Sequence, residues 1–435
     1  MLLPDRRVIK VVFNILIADS PARAHALRIC GHNGSDGCHY CDALAFKDPD
    51  SDVVTYHLRN PPHPHRLYTE VDFQHKAGGA SKHHGTSVLT RAPMTLPDDA
   101  VYDQMHCTHL GITKYIAEAL LLVRNLRRDA RGRRMYSLDD VIRAVDNISR
   151  QLPPSAFPRS LRPLEKHGLW KASERRLFLL YVLPVLAQFY KPTVANTLLH
   201  LSFGLQVMSS PLLVREEANV SEAHLHVCRG YHGLVNFLKI PEVQVVHQLQ
   251  HLYTQVSKYG SLDLCSAYPF ENNLRLFKKH FTNPATVVES WRLRLWESRM
   301  EAMGSAPQQV GRAHLLPSSD PIITHQPALP ASPLMKFSLE PRECYGVVDG
   351  VPGAIFPTSD LHVDFLPFTW TPAFTTTDFI EQQPWLRILA IRPIIRDVDA
   401  RRIQGKALLI DDAGVLYFIV LCHFRGKFDL SHTWS

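Results

Sequence analysis

Residues 8–17 form a β-branched apolar run, Val8-Ile-Lys-Val-Val-Phe-Asn-Ile-Leu-Ile17. A run of this composition and length predicts one buried strand. Asp19 follows the run directly and precedes Pro21. We therefore expect the Asp19 carboxylate at the carboxyl edge of a sheet, where α/β proteins collect ligands and metals. The alternative is an Asp that only opens a turn before the proline.

The pattern changes three times along the chain. Residues 1–102 predict a strand with a Cys/His-rich insert, and residues 103–303 predict a helical region. Residues 304–334 predict a proline-rich linker, and residues 335–435 a small β-rich domain. Ser137 is expected to cap a helix over 138–152, and Ser173 a helix over 174–190. Residues 407–421 predict a β-hairpin that turns at Asp412-Ala-Gly.

The composition and net charge of the chain exclude several classes of protein. Hydrophobic residues make up 45% of the 435 residues, which excludes a wholly disordered chain. A net charge of +7 permits a polyanionic partner without requiring one. No apolar stretch approaches the roughly 18–20 residues that span a bilayer, and the first residues lack the pattern of a signal peptide. We expect a reducing compartment, in which the eight cysteines form few or no disulfides.

Three further positions are candidates for acid or metal chemistry. Asp103 and His106 are three residues apart and share a helix face, so either could bind a metal or orient the other. The alternative is that Asp103 caps a helix over 104–123. Glu271 enters a first helical turn, where it could favour the helix dipole or complete a carboxylate cluster with Asp19 and Asp103. Two divalent ions about 4 Å apart need such oxygen ligands.

Cys38 and Cys41 form a CxxC pair with the spacing of a zinc knuckle. A structural zinc site needs two more ligands, and we take these from the nearby cysteine and histidines: Cys30, His32, His57, His63 and His65, with His63 and His65 as the expected pair. Two free thiols in a loop are the alternative. His247 and His251 share one helix face, without the HExxH motif of a metalloprotease, and are expected to form a packed or exposed face.

Six arginines crowd one short segment: Arg124, Arg127, Arg128, Arg131, Arg133 and Arg134. Such a cluster could neutralise phosphates of DNA, or it could be a solvated loop between two helices. No nucleotide-binding glycine loop and no GxSxG nucleophile motif is present, so nucleotide-loop and serine-hydrolase functions have no support.

Several motifs follow one another in a recognisable order. They are Ala18-Asp-Ser-Pro-Ala-Arg-Ala24, Gly31-His-Asn-Gly34, Gly37-Cys-His-Tyr-Cys41, Asp103-Gln-Met-His106, Leu110-Gly-Ile-Thr-Lys114, Trp170-Lys-Ala-Ser-Glu-Arg175, Leu179-Leu-Tyr181, His247-Gln-Leu-Gln-His251 and Ser266-Ala-Tyr-Pro-Phe-Glu271. Over about residues 8–300 this series resembles the transposase of CACTA (En/Spm-type) DNA transposons, in the form found in animal genomes.

The resemblance implies an α/β fold plus α: a partial RNase H-like (DDE-type) core with a large helical insertion, followed by the small β-rich domain. It also implies DNA strand cleavage and transfer with two Mg²⁺ or Mn²⁺ ions. Asp19 matches the second catalytic Asp of the family, Glu271 the catalytic Glu, and Asp103 with His106 the DxxH signature. Cys38 and Cys41 match its metal-binding cysteine insert. DNA is the implied partner, a homo-oligomer is compatible with the resemblance, and the nucleus is the implied location.

One departure from the family changes the expectation. The first catalytic Asp of the family lies upstream of the strand that carries the second, and here only Asp5 precedes that strand. We therefore expect an N-terminally truncated form that is catalytically incomplete. The alternative is a non-catalytic scaffold that binds DNA or protein, as a domesticated or decayed remnant.

Overall fold

The computed structural model describes ten stretches of the chain: 14–49, 51–56, 66–74, 85–152, 157, 159–271, 344–358, 362–373, 385–412 and 414–421. The chain divides into two compact units. One comprises Met1–Ser266 together with Ala331–Ser435, and the other comprises Ala267–Pro330. Of the second unit only residues 267–271 are described, so the architecture below is that of the first.

Helices dominate the described residues between 103 and 266. In chain order, the α-helices α1 to α10 are Ser20–Leu27, Glu70–Gln74, Thr113–Leu120, Leu138–Gln151, Ala172–Leu177, Leu183–Leu186, Pro192–Ser209, Glu217–Asn236, Gln244–His247 and Leu252–Tyr259. Two π-helical segments, Met105–Ile112 and Phe178–Val182, continue into α3 and α6. Among the described helices, none has both the length and the apolar character that a membrane crossing requires.

The structure confirms one of the two predicted helix caps and contradicts the other. Ser137 caps α4 as predicted, and it shares a reciprocal capping box with Asp140. The cap predicted at Ser173 is wrong, because α5 begins at Ala172, two residues earlier than predicted, with Lys171 in the capping position. Glu174 explains the earlier start: its buried carboxylate accepts a hydrogen bond from the Lys171 N–H at 2.8 Å and pairs with Arg162.

Helices α7 and α8 form the centre of the helical body. Helix α7 is buried on all sides from Thr197 to Ser209, so its sequence shows no polar face. It lies against α8 at a distance that only glycine permits. A Cβ added at Gly233 would lie 2.7 Å from the Cβ of Thr197, and one at Gly230 would lie 2.9 Å from the Cα of Leu201. Small residues on α8 therefore set how closely the two helices approach.

The strands of the described residues fall into three sheets. In chain order, β1 to β11 are Leu16–Ala18, Ala45–Lys47, Val54–Tyr56, Ala100–Tyr102, Tyr345–Val348, Val351–Pro357, His362–Pro372, Trp385–Ile391, Ile395–Asp399, Ile403–Asp412 and Val415–Val420. Strand β1 pairs with β4, and β2 pairs with β3. The ring β6-β5-β10-β11-β8-β7 closes through pairing of β6 with β7, which makes a closed barrel of six strands with β9 beside β7.

The barrel packs onto the helical body through the β10–β11 hairpin, which confirms the hairpin predicted over 407–421. Leu408 and Ile410 join the hydrophobic core of the helices, whereas Ala407 and Leu409, which alternate with them, pack in the core of the barrel. At the turn, the backbone N–H of Asp411 donates to the side chain of Gln151 on α4 at 2.6 Å. Gln188 donates to the Asp412 carboxylate at 2.7 Å.

The predicted α/β plus α fold with a partial RNase H-like core is wrong. The structure instead combines helices with the six-stranded closed barrel, and parallel pairing in the described residues is confined to β1 with β4, three residues each. The outer edge of β4 shows why the sheet stops there. The Gln255 side chain bonds both the N–H and the C=O of Tyr102, at 3.0 and 3.2 Å, and so occupies the groups that a further strand would need.

Candidate metal centre

Four buried side chains converge on one point in the helical body. Cys38, Cys41, His247 and His251 each present a ligand atom, and these atoms all lie within 4.8 Å of one another. The two sulfurs are 3.5 Å apart, and the two Nε2 atoms are 3.4 Å apart. Cys41 Sγ lies 3.3 Å from His247 Nε2, and Cys38 Sγ lies 3.5 Å from His251 Nε2.

These separations match a tetrahedral metal centre. Bonds of about 2.0–2.1 Å to nitrogen and about 2.3 Å to sulfur give ligand-to-ligand edges of roughly 3.3–3.8 Å. Four of the six observed edges run from 3.3 to 3.5 Å, and all six lie within 4.8 Å. Two thiols and two imidazoles are also the donor set of a structural zinc site. This buried Cys2His2 cluster could therefore hold a metal such as zinc.

Local structure aims each pair of ligands inward. Cys38 and Cys41 lie in a loop, and a Cβ on the preceding Gly37 would meet Gly31 O at 2.9 Å, so the loop passes too close for a larger residue. His247 ends α9 and His251 lies one turn further along the same helical stretch. Gln244, at the start of α9, donates to Gly37 O at 2.8 Å and joins the helix to the loop.

The electrostatics of the metal-free cluster favour a Cys38 thiolate beside a protonated His247, which gives up a proton when a metal binds. Burial alone would raise the pKa of the Cys38 thiol, but the hydrogen bond with Cys41 and the charge of His251 hold that pKa well below its ordinary value. Against the effect of burial, hydrogen bonds to Cys38 and Glu242 raise the pKa of His247 to about 9. A thiolate is thus stabilised beside a cation, and thiolate is the form of cysteine that coordinates zinc.

Aromatic rings enclose the cluster. Tyr56 stacks on His247 with ring centroids 4.2 Å apart and planes 14° apart, and Tyr40 stacks on His251 at 5.5 Å and 22°. Tyr102 OH lies 3.5 Å from Cys38 Sγ. All three tyrosines are buried, with 2% or less of their surface exposed. A four-ligand site closed in this way has no open position for a substrate, which is typical of structural rather than catalytic metal sites.

The two cysteines were predicted ligands, but their partners come from an unexpected part of the chain. His63 and His65, the expected partners, lie outside the described residues. His247 and His251, predicted to form only a packed or exposed helix face, contact the cysteines instead. Their HxxxH spacing, read together with the CxxC, is the sequence signal that would have found them. The separation of more than 200 residues hides that signal.

Two of the predicted catalytic residues, Asp19 and Asp103, directly follow two paired strands. Strands β1 and β4 run parallel with Ala18 opposite Tyr102, so Asp19 and Asp103 occupy the next positions of the two strands. Each carboxylate then caps a helix. Asp19 accepts from the Ala22 N–H at 2.9 Å, and the buried Asp103 accepts from the Met105 N–H at 3.1 Å. These contacts agree with the turn and cap alternatives that the sequence left open.

The other two predicted catalytic residues, His106 and Glu271, belong to different compact units. His106 is half-buried, and its Nδ1 forms a short hydrogen bond with the Asp103 carboxylate. Glu271 belongs to the second compact unit, Ala267–Pro330. Its backbone N–H donates to Ala267 O at 2.9 Å, as expected for a first helical turn.

The arginine segment forms a tight hairpin rather than an irregular loop. Arg128 and Arg134 are opposite each other in an antiparallel bridge. Between them, the Gly132 N–H donates to Asp129 O at 3.0 Å, and Gly132 has φ of +76°. The Asp129 carboxylate accepts backbone N–H bonds from Arg131 and Arg133, each at 2.9 Å. This is a hairpin turn with a left-handed glycine, held by an Asp side chain.

All six arginine side chains of the segment are exposed. Only Arg133 has a carboxylate partner within the described part of the chain, Asp129 at 2.9 Å. Arg128 and Arg134 have like charges directly across a strand pair, an arrangement that destabilises a hairpin by roughly 0.2–1 kcal/mol. Below, "arginine hairpin" denotes residues 127–135.

Comparison with models of protein families, with curated proteins and with solved structures gives no match to this chain.

Proposed function

We propose that this protein is a zinc-stabilised scaffold that binds DNA, derived from a CACTA-type transposase and without strand-cleavage activity of its own. The buried cluster of Cys38, Cys41, His247 and His251 is the observation that carries the proposal. It supports a metal that holds the fold together rather than one that meets a substrate. Chromosomal DNA as the partner implies a nuclear location.

Zinc is the metal that best fits the four ligands. Two cysteine sulfurs select soft or borderline ions over Mg²⁺, Mn²⁺ and Ca²⁺, which prefer oxygen. The four ligand-to-ligand distances of 3.3–3.5 Å suit a tetrahedral ion such as zinc. Bound zinc would tie the cysteine loop to α9, in addition to the hydrogen bond that Gln244 donates to Gly37 O.

Metal analysis of purified protein tests the zinc assignment. We expect about one zinc per chain in the wild type, and much less than one in Cys38→Ser and in His251→Asn. Cys228→Ser is the matched control, since Cys228 is a half-buried free cysteine on α8 outside the cluster. Wild-type protein that stays folded while binding no zinc would refute the assignment.

The arginine hairpin supports DNA as the partner. It presents several guanidinium groups on a turn that Asp129 and Gly132 hold in one conformation. Arginines held in this way lose little conformational entropy when they meet phosphates. A phosphate between Arg128 and Arg134 would also remove their mutual repulsion.

The salt dependence of DNA binding tests this part of the proposal. We expect wild-type protein to bind a fluorescent DNA duplex with an affinity that falls steeply with KCl. The double variant Arg128→Gln with Arg134→Gln should flatten the log–log slope by about 0.9 for each phosphate that it no longer neutralises. Arg143→Gln, an exposed arginine of α4 that pairs with Asp140, is the control. An unchanged slope in the double variant would place DNA binding elsewhere or exclude it.

One observation favours a second candidate function, metal-dependent DNA cleavage. Asp19 and Asp103 occupy adjacent positions at the ends of β1 and β4, as oxygen ligands of Mg²⁺ or Mn²⁺ would. Their roles as helix caps argue against it, because the same oxygens already accept backbone hydrogen bonds.

A nicking assay decides between the two functions. Supercoiled plasmid is incubated with the protein and Mn²⁺, and we expect no nicked product. Nicking by the wild type that disappears in Asp19→Ala would establish the second candidate in place of the first. Glu271→Gln then tests whether the expected third carboxylate takes part.

A further inference from the structure

Glu242 lies directly behind one of the four metal ligands. Its Oε1 is 3.2 Å from Nδ1 of His247, on the side of the ring opposite the Nε2 that points at Cys41. An imidazole that offers the Nε2 lone pair to a metal carries its proton on Nδ1. Glu242 Oε1 can accept that proton, whereas the amide Nε2 of Gln250, also 3.2 Å from Nδ1, is a donor and cannot.

Two further hydrogen bonds hold Glu242, one to its carboxylate and one to its backbone. Tyr231 OH, on α8, donates a short hydrogen bond to the same Oε1. The backbone C=O of Glu242 accepts from the Tyr56 N–H at 2.7 Å, and the ring of Tyr56 stacks on His247. The position of Glu242 is therefore fixed relative to the ring that it contacts.

Burial of the Glu242 carboxylate is unfavourable unless a nearby positive charge compensates it. Glu242 is 4% exposed, and its Oε2 has no hydrogen-bond partner among the described residues. Its one cationic partner in that part of the chain is the ring of His247. An isolated buried carboxylate is strongly unfavourable, whereas one that hydrogen-bonds a histidine ligand is compensated by the charge of the metal.

We propose that Glu242 is a positioning residue of the metal centre, which fixes the tautomer and the orientation of His247 so that Nε2 faces the metal. The inference rests on the proposed zinc site and names a residue outside its four ligands. Outer partners of this kind typically change metal affinity by about 10- to 100-fold.

Cobalt titration tests the proposal, because Co²⁺ in a tetrahedral site absorbs visible light according to its ligands. The zinc affinity is then measured by competition, as added zinc displaces bound Co²⁺ and the visible absorption is lost. We expect Glu242→Leu to lose roughly 10- to 100-fold in zinc affinity and to change the Co²⁺ bands. Glu242→Gln keeps an acceptor for Nδ1–H, and we expect it to restore the wild-type bands and part of the affinity. Cys228→Ser, which lies outside the cluster, is the control and should stay within about threefold.

The outcomes separate the positioning role from the zinc site itself. Wild-type protein without Co²⁺ or zinc binding would refute the proposed function and this inference together. Wild-type binding with unchanged affinity and bands in Glu242→Leu would overturn the inference alone. If Glu242→Leu does not fold, Glu242→Gln decides: a loss of about threefold or more with unchanged bands supports the positioning role, and wild-type affinity rejects it.

Discussion

Sγ of Cys41 lies 3.3 Å from Nε2 of His247, although the two residues are 206 positions apart in the sequence. Closing so long a loop is entropically unfavourable, and a metal bound at its ends repays that cost only in the folded state. A metal bound at this contact would thus link its binding to folding of the helical body.

Metal removal is expected to destabilise the protein. Ligand binding to the native state alone contributes about 4 kcal/mol when free zinc is a thousand times its Kd. Urea unfolding with and without a chelator should show a loss of this size in the wild type. Cys228→Ser should lose as much, and His251→Asn should lose nothing because it starts without the metal. Equal stability of the wild type with and without chelator would contradict a structural role.

Gly233→Ala is expected to force α7 and α8 apart. The added methyl group would lie 2.7 Å from the Cβ of Thr197, in a part of the core where both helices are buried. Overpacking of this kind costs about 1–3 kcal/mol, more than the roughly 1 kcal/mol that alanine contributes through helix propensity. Equilibrium unfolding in urea measures the difference.

Gly168→Ala is the matched control for Gly233→Ala. No heavy atom lies within 4 Å of the Cβ position at Gly168. Its effect should stay within about 0.5 kcal/mol of the wild type. Similar losses in both variants would show that helix contact is not the cause.

Gly132→Ala is expected to weaken DNA binding without touching an arginine. Gly132 has φ of +76°, where an L-residue with a side chain is strained by about 1–2 kcal/mol. The strain should loosen the turn of the arginine hairpin and reduce DNA affinity by up to about tenfold at low salt. Fluorescence anisotropy measures the affinity, and Gly168→Ala should bind like the wild type. A tighter complex for Gly132→Ala would contradict the need for a fixed turn.

Acid should destabilise the protein through His109. Burial, together with the charge of Arg176, holds the pKa of His109 well below its ordinary value of 6.5. Only the unfolded chain then takes up a proton as the pH falls below about 6.5. This histidine therefore contributes stability above pH 6.5, and that stability is lost as the pH falls from 6.5 toward the lowered pKa of the folded state.

The comparison of His109→Gln with the wild type isolates this effect. Urea unfolding at pH 7.5, 6.5 and 5.5 should show the wild type losing about 1.4 kcal/mol per pH unit more than the variant below pH 6.5. Metal loss at low pH affects both proteins and cancels in the difference. Parallel curves for the two proteins would rule out a buried neutral His109.

Local patterns predicted the elements whose stability is local. Ser137 with Asp140 caps α4, and the hairpin around Asp412 forms because the turn and the alternation of its strands agree. Gly260 ends α10 with φ of +81°, a conformation that glycine adopts readily at helix ends. The strand that ends before Asp19 was also predicted, but not the sheet that it joins. That sheet ends at β4, where the side chain of Gln255 on α10 bonds the backbone of Tyr102.

The sequence by itself determined the helical body, the strand-rich end of the chain, the CxxC pair and the arginine cluster, because periodicity, capping and charge act over a few neighbouring residues. Only the tertiary structure decided that the terminal strands close into a barrel and that His247 and His251 meet Cys38 and Cys41. These depend on packing between segments far apart in the chain, to which no local pattern responds.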